Sequence, residues 1–413
     1  MKSKTSVVNA KFIYFLMIIT PFIDLLNGLF TFVFKIDISP GIIIRTGILV
    51  AIIIFYIKQE AGNFMKFIFI ISLFLIQMLF IGFNSEVNIL QEVLFISKIY
   101  YNVFLIFSID YLFKNEVIVY DKCIEKMITV SIIVAASLII TKILGIGINS
   151  YGEAGGYKGL YIGTNDLTAV LIMTFPFIIY RLSTAHRKFK YIISSIIVGV
   201  NIIMIGTKTS VIVFAVIIVF YIYNIFLKEK DVKNIIFVGV LIFIFAMIFR
   251  KYLWEAYSST ILVRQKYFLS QQNLVTYLLS GRNFTLMNAM KYWGENIQNI
   301  ILGLGFTNGS NIIGSFLTGH GMIEMDFFDI LYFYGVGLFT VIAIPLTKRF
   351  FKAIVLVFKS KKLLFKTISL IYIIIFCTSF FGGHILLSPL SGIYFAIIYG
   401  MLKEEKIWRI FIK

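Results

Sequence analysis

The chain has 413 residues, of which 60% are hydrophobic, 17% aromatic and 14% charged, with a mean hydropathy of +0.94. A soluble domain carries about 25% charged residues, so there is too little polar surface here to cover a water-soluble fold. The net charge of +18 does not mark a nucleic-acid partner, because the Lys and Arg cluster in short segments between apolar runs, which is the pattern of membrane topology.

Taken in order, the apolar runs predict an all-α, polytopic membrane protein forming a single domain over 1–413. A helix needs about 20 apolar residues to cross the hydrocarbon core. The basic start leads into a run over 12–34 that contains Pro21 and Asp24 and has no small-x-small cleavage site. It reads as a retained first helix and not as a signal peptide. Further spans are expected at 41–57, 65–83, 91–112, 127–145, 165–181, 189–206, 209–227, 234–250, 327–346, 363–381 and 390–403, twelve in all with the first. The segment 350–358 is too short to cross and extends a helix or lies at the interface. With the N-terminus in the cytoplasm, the inner segments and the two termini hold 26 of the 38 Lys and Arg. This satisfies the positive-inside rule and puts both termini in the cytoplasm.

One long polar segment, 251–326, separates spans nine and ten and lies outside in this topology. Connections longer than about 15 residues are usually functional. Within it, 261–279 and 282–299 have helical character. Phe284, Met287, Met290 and Trp293 recur at roughly helical spacing, and Ser280 stands where an N-cap is expected. No internal repeat is visible, which disfavours a transporter. The two cysteines, Cys123 and Cys377, suggest no disulfide framework. Gly303-Leu304-Gly305 follows no strand, so it reads as a turn and not as a dinucleotide fingerprint. No metal-ligand spacing, P-loop or DxD pair occurs.

Ionisable residues inside spans cost about 2.5–3.5 kcal/mol each on insertion scales, so each needs a partner or a purpose. Asp24 and Arg45 form the simplest pair, and Glu92 with Lys98 is a second. Arg45, Lys98, Lys158, Lys208, Arg264 and Arg282 all fall in the outer half of the protein, with no comparable acidic cluster in sequence to neutralise them. Snorkelling accounts for Lys158. The others suit an anion at the headgroup plane, such as a lipid-linked phosphate or pyrophosphate, which Arg binds bidentately. A second constellation, TGHGMIEMDFFD at 318–329, supplies His320, Glu324, Asp326 and Asp329. A carboxylate or imidazole there suits general-base work on a sugar hydroxyl, while compensation of a helix dipole is the plainer role for one of the acids. His384 lies in the last external loop, near this region.

Four segments then resemble the O-antigen polymerase and ligase superfamily. They are GGYKGLYIGTNDLTAVL (155–171), GTKTSVIVF (206–214), SGRNFTLMNAMKYWGENIQNIILGLGF (280–306) and GHGMIEMDFFDILYFYGVGLF (319–339). The layout of twelve spans with one large external loop is similar too. Lys208 stands where the family often has Arg, and Gly321 follows His320 where ligases more typically have Asn. The missing His-Asn pair, with an acidic pair before the span that looks like that of Gram-positive capsule polymerases, favours a polymerase over a ligase. The resemblance implies a GT-C-like membrane glycosyltransferase in the bacterial plasma membrane that joins undecaprenyl-pyrophosphate-linked oligosaccharide repeat units. Arg282 would grip the donor pyrophosphate, supported by Arg264, Lys208 and Arg45. His320, Glu324 or Asp326 would deprotonate the acceptor, with Asp24, Lys98 and Asn165 in structural or positioning roles. No metal or cofactor is expected. The flippase and chain-length regulator of the same pathway would be partners. A flippase of the same lipid-linked unit, or a ligase-like transferase, is the alternative.

Overall fold

The computed structural model describes residues 4–36, 39–84, 88–115, 117–152, 155–185, 188–229, 250, 274–316 and 321–402. The fold described is all-helical, and among the described residues the only β pairing is an isolated bridge between Ile148 and Gly159. The N-terminal half supplies α1 (Lys4–Gly28), extended by a π turn at Leu29–Val33, then α2 (Pro40–Gln59), α3 (Ala61–Asn84) and α4 (Ile89–Lys114). It continues with α5 (Tyr120–Ile143), α6 (Thr164–Thr184), α7 (Phe189–Met204) and α8 (Lys208–Glu229). Four short helices follow: α9 (Leu274–Leu279), α10 (Arg282–Gly294), α11 (Ile297–Leu302) and α12 (Phe306–Phe316). The chain closes with α13 (Asp326–Lys359), α14 (Leu363–Phe381) and α15 (Pro389–Met401).

Eight of these helices are long and apolar enough to cross a membrane, and α7, the apolar part of α8 and α15 are shorter apolar helices. Eleven of the expected spans thus coincide with a helix. The ninth, 234–250, lies outside the described residues apart from Arg250, as does 261–273 of the first expected loop helix. Three boundaries differ clearly. α1 starts at Lys4, eight residues before the expected 12. α5 starts at Tyr120, seven residues before the expected 127, because its first turn packs Cys123 and Ile124 into the core. The segment 350–358 is no separate element, since α13 carries it to Lys359.

The core lies between helices. Large exposed apolar side chains such as Ile43, Met65 and Leu79 line α2 and α3; so wide an apolar surface is a membrane-facing one. By contrast α15 is buried from Leu390 to Met401 against α4 and α6. Its 13 residues rise about 20 Å at 1.5 Å each, short of the roughly 30 Å hydrocarbon core. A helix enclosed by protein has no need to match that thickness, because its ends meet protein groups and not lipid.

The helices run up and down, and contacts at their ends fix two faces. At one end, Tyr157 N–H donates to the Met204 carbonyl (2.8 Å) and the Thr168 and Thr207 hydroxyls pair at 3.2 Å. At the other, Arg349 binds Asp110 at 2.6 Å and donates to the Tyr399 carbonyl, Tyr120 donates to the Met401 carbonyl at 2.7 Å, and Lys366 donates to Asn224 at 3.0 Å. The N-termini of α2, α4, α6, α8, α13 and α15 share the first end. That end carries the candidate site.

The loop helices differ from the expected pair. The stretch 282–299 breaks at Glu295–Asn296 into α10 and α11. Ser280 is not the cap: it takes a left-handed backbone (φ 55°), and Gly281 (φ 84°) holds the cap position. The expected apolar stripe does not face inward as one unit. Phe284 and Met287 are exposed, Met290 and Trp293 pack partly against the core, and Thr285 and Ala289 are the buried residues of α10.

The Gly303-Leu304-Gly305 turn is a backbone joint. α13 breaks at Gly335 (φ 69°, ψ −176°), which leaves carbonyls of the preceding turn without intrahelical donors. Leu304 N–H donates to the Tyr332 carbonyl (3.0 Å) and Gly305 N–H to that of Phe333 (2.9 Å), and the Gln77 amide also reaches Phe333. A Cβ on Gly303 would lie 2.3 Å from the Phe333 oxygen, and one on Gly335 would lie 2.3 Å from that of Ile301. Only glycine admits this approach.

Candidate functional site

A line of charged side chains crosses the first end of the bundle, from α1 to α10. It begins with Asp24 of α1 and Arg45 of α2, which form an ion pair with side-chain exposures of 9% and 16%. The expected pairing of these two intruders is thus present. Next is Lys98 of α4, with its ammonium 5.8 Å from the Phe95 ring centroid. It is not paired with Glu92. Glu92 instead caps α12, accepting from the backbone N–H groups of Phe306 (2.9 Å) and Thr307 (2.6 Å). A carboxylate is stabilised at a helix N-terminus, where N–H groups lack intrahelical partners. The electrostatic neighbours of Lys98 are Asp166 and Arg45.

Asp166 was not among the expected site residues. It occupies the first turn of α6, beside Asn165, and charged groups from several elements surround it: Lys98, His384, Asp326 and Asp24, with the Ser388 hydroxyl alongside. It keeps some solvent exposure despite this crowding, as a side chain lining a recess does. The signal was legible in principle, because an acid inside an apolar span costs as much as Asp24 does.

The far end of the line is a triad. Arg282, at the start of α10, donates through Nη2 (2.6 Å) and Nε (3.1 Å) to Glu324 Oε2. The other Glu324 oxygen lies 4.0 Å from His384 Nε2. All three side chains are partly exposed, at 20%, 27% and 28%. Glu324 (φ 62°) and His384 (φ 66°) both take the left-handed backbone conformation. Such non-glycine conformations cost about 1–3 kcal/mol each and persist where the surroundings over-determine them. Between the chains lies Gly383 (φ 61°), whose Cβ would sit 2.4 Å from the Glu324 carbonyl oxygen.

Asp326 is the correction among the expected bases. It is fully buried and accepts from the Ser379 hydroxyl (2.7 Å) and the backbone N–H groups of His384 (2.6 Å), Ile385 (2.8 Å) and Leu386 (2.8 Å). Four donors saturate the carboxylate, so it anchors the loop between α14 and α15 and does not face an acceptor. Asp329, also buried, holds the preceding turn by accepting from Ile323 (2.8 Å) and Met325 (3.0 Å) N–H groups.

The remaining expected residues spread out. Lys208 opens α8, partly exposed, where the turn packs on the 155–159 loop. Lys158 donates to the Ile162 carbonyl (2.8 Å) and lies 5.5 Å from the Phe32 ring centroid. Burial pushes its ammonium below the ordinary lysine range. His320 and Arg264 lie outside the described residues. The expected surplus of outer cations is also corrected for those in the line: Arg45, Lys98 and Arg282 each face a carboxylate that folding brings in from elsewhere in the chain. Among the described residues no three His, Cys, Asp or Glu side chains form a metal-ligating group.

Chemically, the arrangement offers fixed cations that can exchange a carboxylate for a substrate anion, and a partly exposed carboxylate–imidazole edge beside them. Comparison with known families fits this picture. The family model described as O-antigen ligase like membrane protein matches residues 7–269 and 263–405. The chain belongs to the O-antigen ligase-like membrane protein family. Family membership makes it a multi-pass membrane protein of surface-polysaccharide assembly, of a glycosyltransferase-like kind that handles lipid-linked oligosaccharide. The two matches together run through both halves of the charged line, from Asp24 to His384. No curated protein matches the chain.

Proposed function

We propose that this protein polymerises undecaprenyl-pyrophosphate-linked oligosaccharide repeat units into a capsule or O-antigen polysaccharide. The reaction takes place at the outer face of the bacterial plasma membrane, on a GT-C-like scaffold of twelve crossings with both termini cytoplasmic. The observation that carries this reading is the Arg282–Glu324–His384 triad at the bundle end where Lys98, Asp166 and the Arg45–Asp24 ion pair also lie. The positive-inside count makes that end the external one. The flippase and the chain-length regulator of the same pathway are the partners of this reading, and nucleic acid has no part in it.

In the proposed reaction the acceptor hydroxyl oxygen bonds to the anomeric carbon of the donor as the bond from that carbon to the pyrophosphate oxygen breaks. Arg282 exchanges Glu324 for the donor pyrophosphate, where its planar fork meets two oxygens. Arg45 and Lys98 add positive potential as charge develops on the leaving group. Lys208 and Arg264 support the same anion. Glu324, released from Arg282, faces the acceptor hydroxyl, with His320 as the second candidate on the same segment. Asp24 and Asn165 position the cations and the first turn of α6. Pyrophosphate is a good leaving group, so the step is written without a metal.

The test uses purified protein in liposomes with synthetic lipid-linked repeat units. Arg282→Ala is expected to abolish the ladder of sugar polymers or shorten it severely. Normal chain length and yield from that variant would remove Arg282 from the donor site. A ligase-like transferase is the second reading, and the family description favours it. It would move finished polymer to a different acceptor and leave single repeat units unjoined in the same assay.

A further inference from the structure

The loop between α14 and α15 is held more tightly than its exposure requires. Asp326 binds three consecutive N–H groups, at His384, Ile385 and Leu386. The Ser391 hydroxyl donates to the Ile385 carbonyl at 2.9 Å, and the Asn102 amide donates to the carbonyls of Leu386 and Ser388, the latter at 3.2 Å. Three helices therefore fix a short loop whose one imidazole projects into the site. That imidazole sits on a left-handed backbone, with Nε2 4.0 Å from the carboxylate of Glu324, whose own backbone is left-handed too. A loop needed only to join two helices would not hold a β-substituted side chain in a strained conformation; strain of this kind collects where geometry serves chemistry.

We propose that His384, and neither Glu324 nor His320, is the general base of the glycosyl transfer, with Glu324 as its orienting partner. This rests on the polymerase reading of the same site. Glu324 Oε1 lies 4.0 Å from Nε2, beyond hydrogen-bond reach while Arg282 holds the carboxylate; once released, Glu324 closes on Nε2–H and Nδ1 is left to accept. The acceptor hydroxyl gives its proton to Nδ1 as its oxygen bonds to the anomeric carbon. The electron pair of the broken bond leaves with the pyrophosphate, against Arg282. The imidazolium that results is stabilised by Glu324, as a carboxylate stabilises the histidine of a hydrolase triad, and it returns its proton to water after the sugars part. The charged groups facing His384 are Glu324, Asp166 and Asp329, with Asp326 beneath its backbone and Arg282 behind Glu324.

The experiment is His384→Asn in the liposome assay, across pH. Asparagine tolerates the left-handed backbone, so the loop keeps its shape while the proton acceptor is lost. The expected result is an unchanged elution profile and melting temperature, unchanged binding of the lipid-linked donor, and a turnover lower by about a hundredfold or more. A fall of the wild-type rate on the acid side should be absent from the residual activity. Should the asparagine variant fold poorly, His384→Gly relieves the backbone altogether, and added imidazole should restore its turnover. A ladder from either folded variant at near wild-type rate, with the acid limb intact, would overturn the proposal while leaving the polymerase reading standing. Absence of a ladder from the wild type would instead remove that reading.

Discussion

At the scale of single residues, the charges divide into those that hold the fold and those left at a surface. Asp326 belongs to the first group. Replacing it with Ala strands three backbone donors and one hydroxyl. Each stranded buried group costs about 1–3 kcal/mol, so Asp326→Ala is expected to lose at least about 2 kcal/mol, read as a lowered melting temperature in detergent. An unchanged melting temperature would contradict the anchoring role. Asp24 and Arg45 are a second case. Removing one partner of a buried pair costs about 3–5 kcal/mol. A double-mutant cycle of Asp24→Asn and Arg45→Gln should therefore give a clear coupling energy, and additive effects would mean the pair does no locking. These two residues were legible in sequence because each interrupts an apolar run. Arg282 and Glu324 were legible as candidates but not as a pair, since 42 residues separate them. Asp166 carried the same signal as Asp24, an acid at an apolar span, without being singled out. His384 was harder to recognise, because its importance comes from neighbours supplied by other helices, and a single chain pattern does not carry that.

At the scale of elements, hydrophobic length found helices well and found breaks poorly. Hydropathy scarcely distinguishes a membrane-facing helix such as α3 from the enclosed α15, because both are apolar throughout; their lengths, 24 and 13 residues, do. The kink of α13 at Gly335 left no mark in hydropathy, although the two glycines at 335 and 337 were visible. Its physical cause lies elsewhere, in the turn at 303–305 that occupies the freed carbonyls. Gly335→Ala and Gly303→Ala each force a Cβ to 2.3 Å from a carbonyl oxygen. Each should reduce the yield of monodisperse protein and lower the melting temperature by several degrees. A variant as stable as wild type would show that the joint between α11 and α13 is not a close backbone contact. Helical spacing finds a face, but whether that face meets protein or the interface depends on what folds beneath it.

At the scale of the whole molecule, the up-and-down order puts Asn224 and Arg282 at opposite ends, joined by the stretch in which a ninth crossing was expected. Sidedness is testable with both native cysteines replaced. A cysteine at Met287, exposed on α10, should react with an impermeant maleimide from outside intact cells. One at Phe358, exposed near the opposite end of α13, should react only after the membrane is opened. The reverse pattern would put the charged line in the cytoplasm and remove a surface-polymer role. The most direct test of the central claim is reconstitution. Purified protein in liposomes receives synthetic undecaprenyl-pyrophosphate repeat units, with no nucleotide, and the products are resolved on a gel. The account predicts a ladder of regularly spaced polymers that Arg282→Ala abolishes. Movement of the lipid-linked sugar between leaflets with no ladder at all would contradict it.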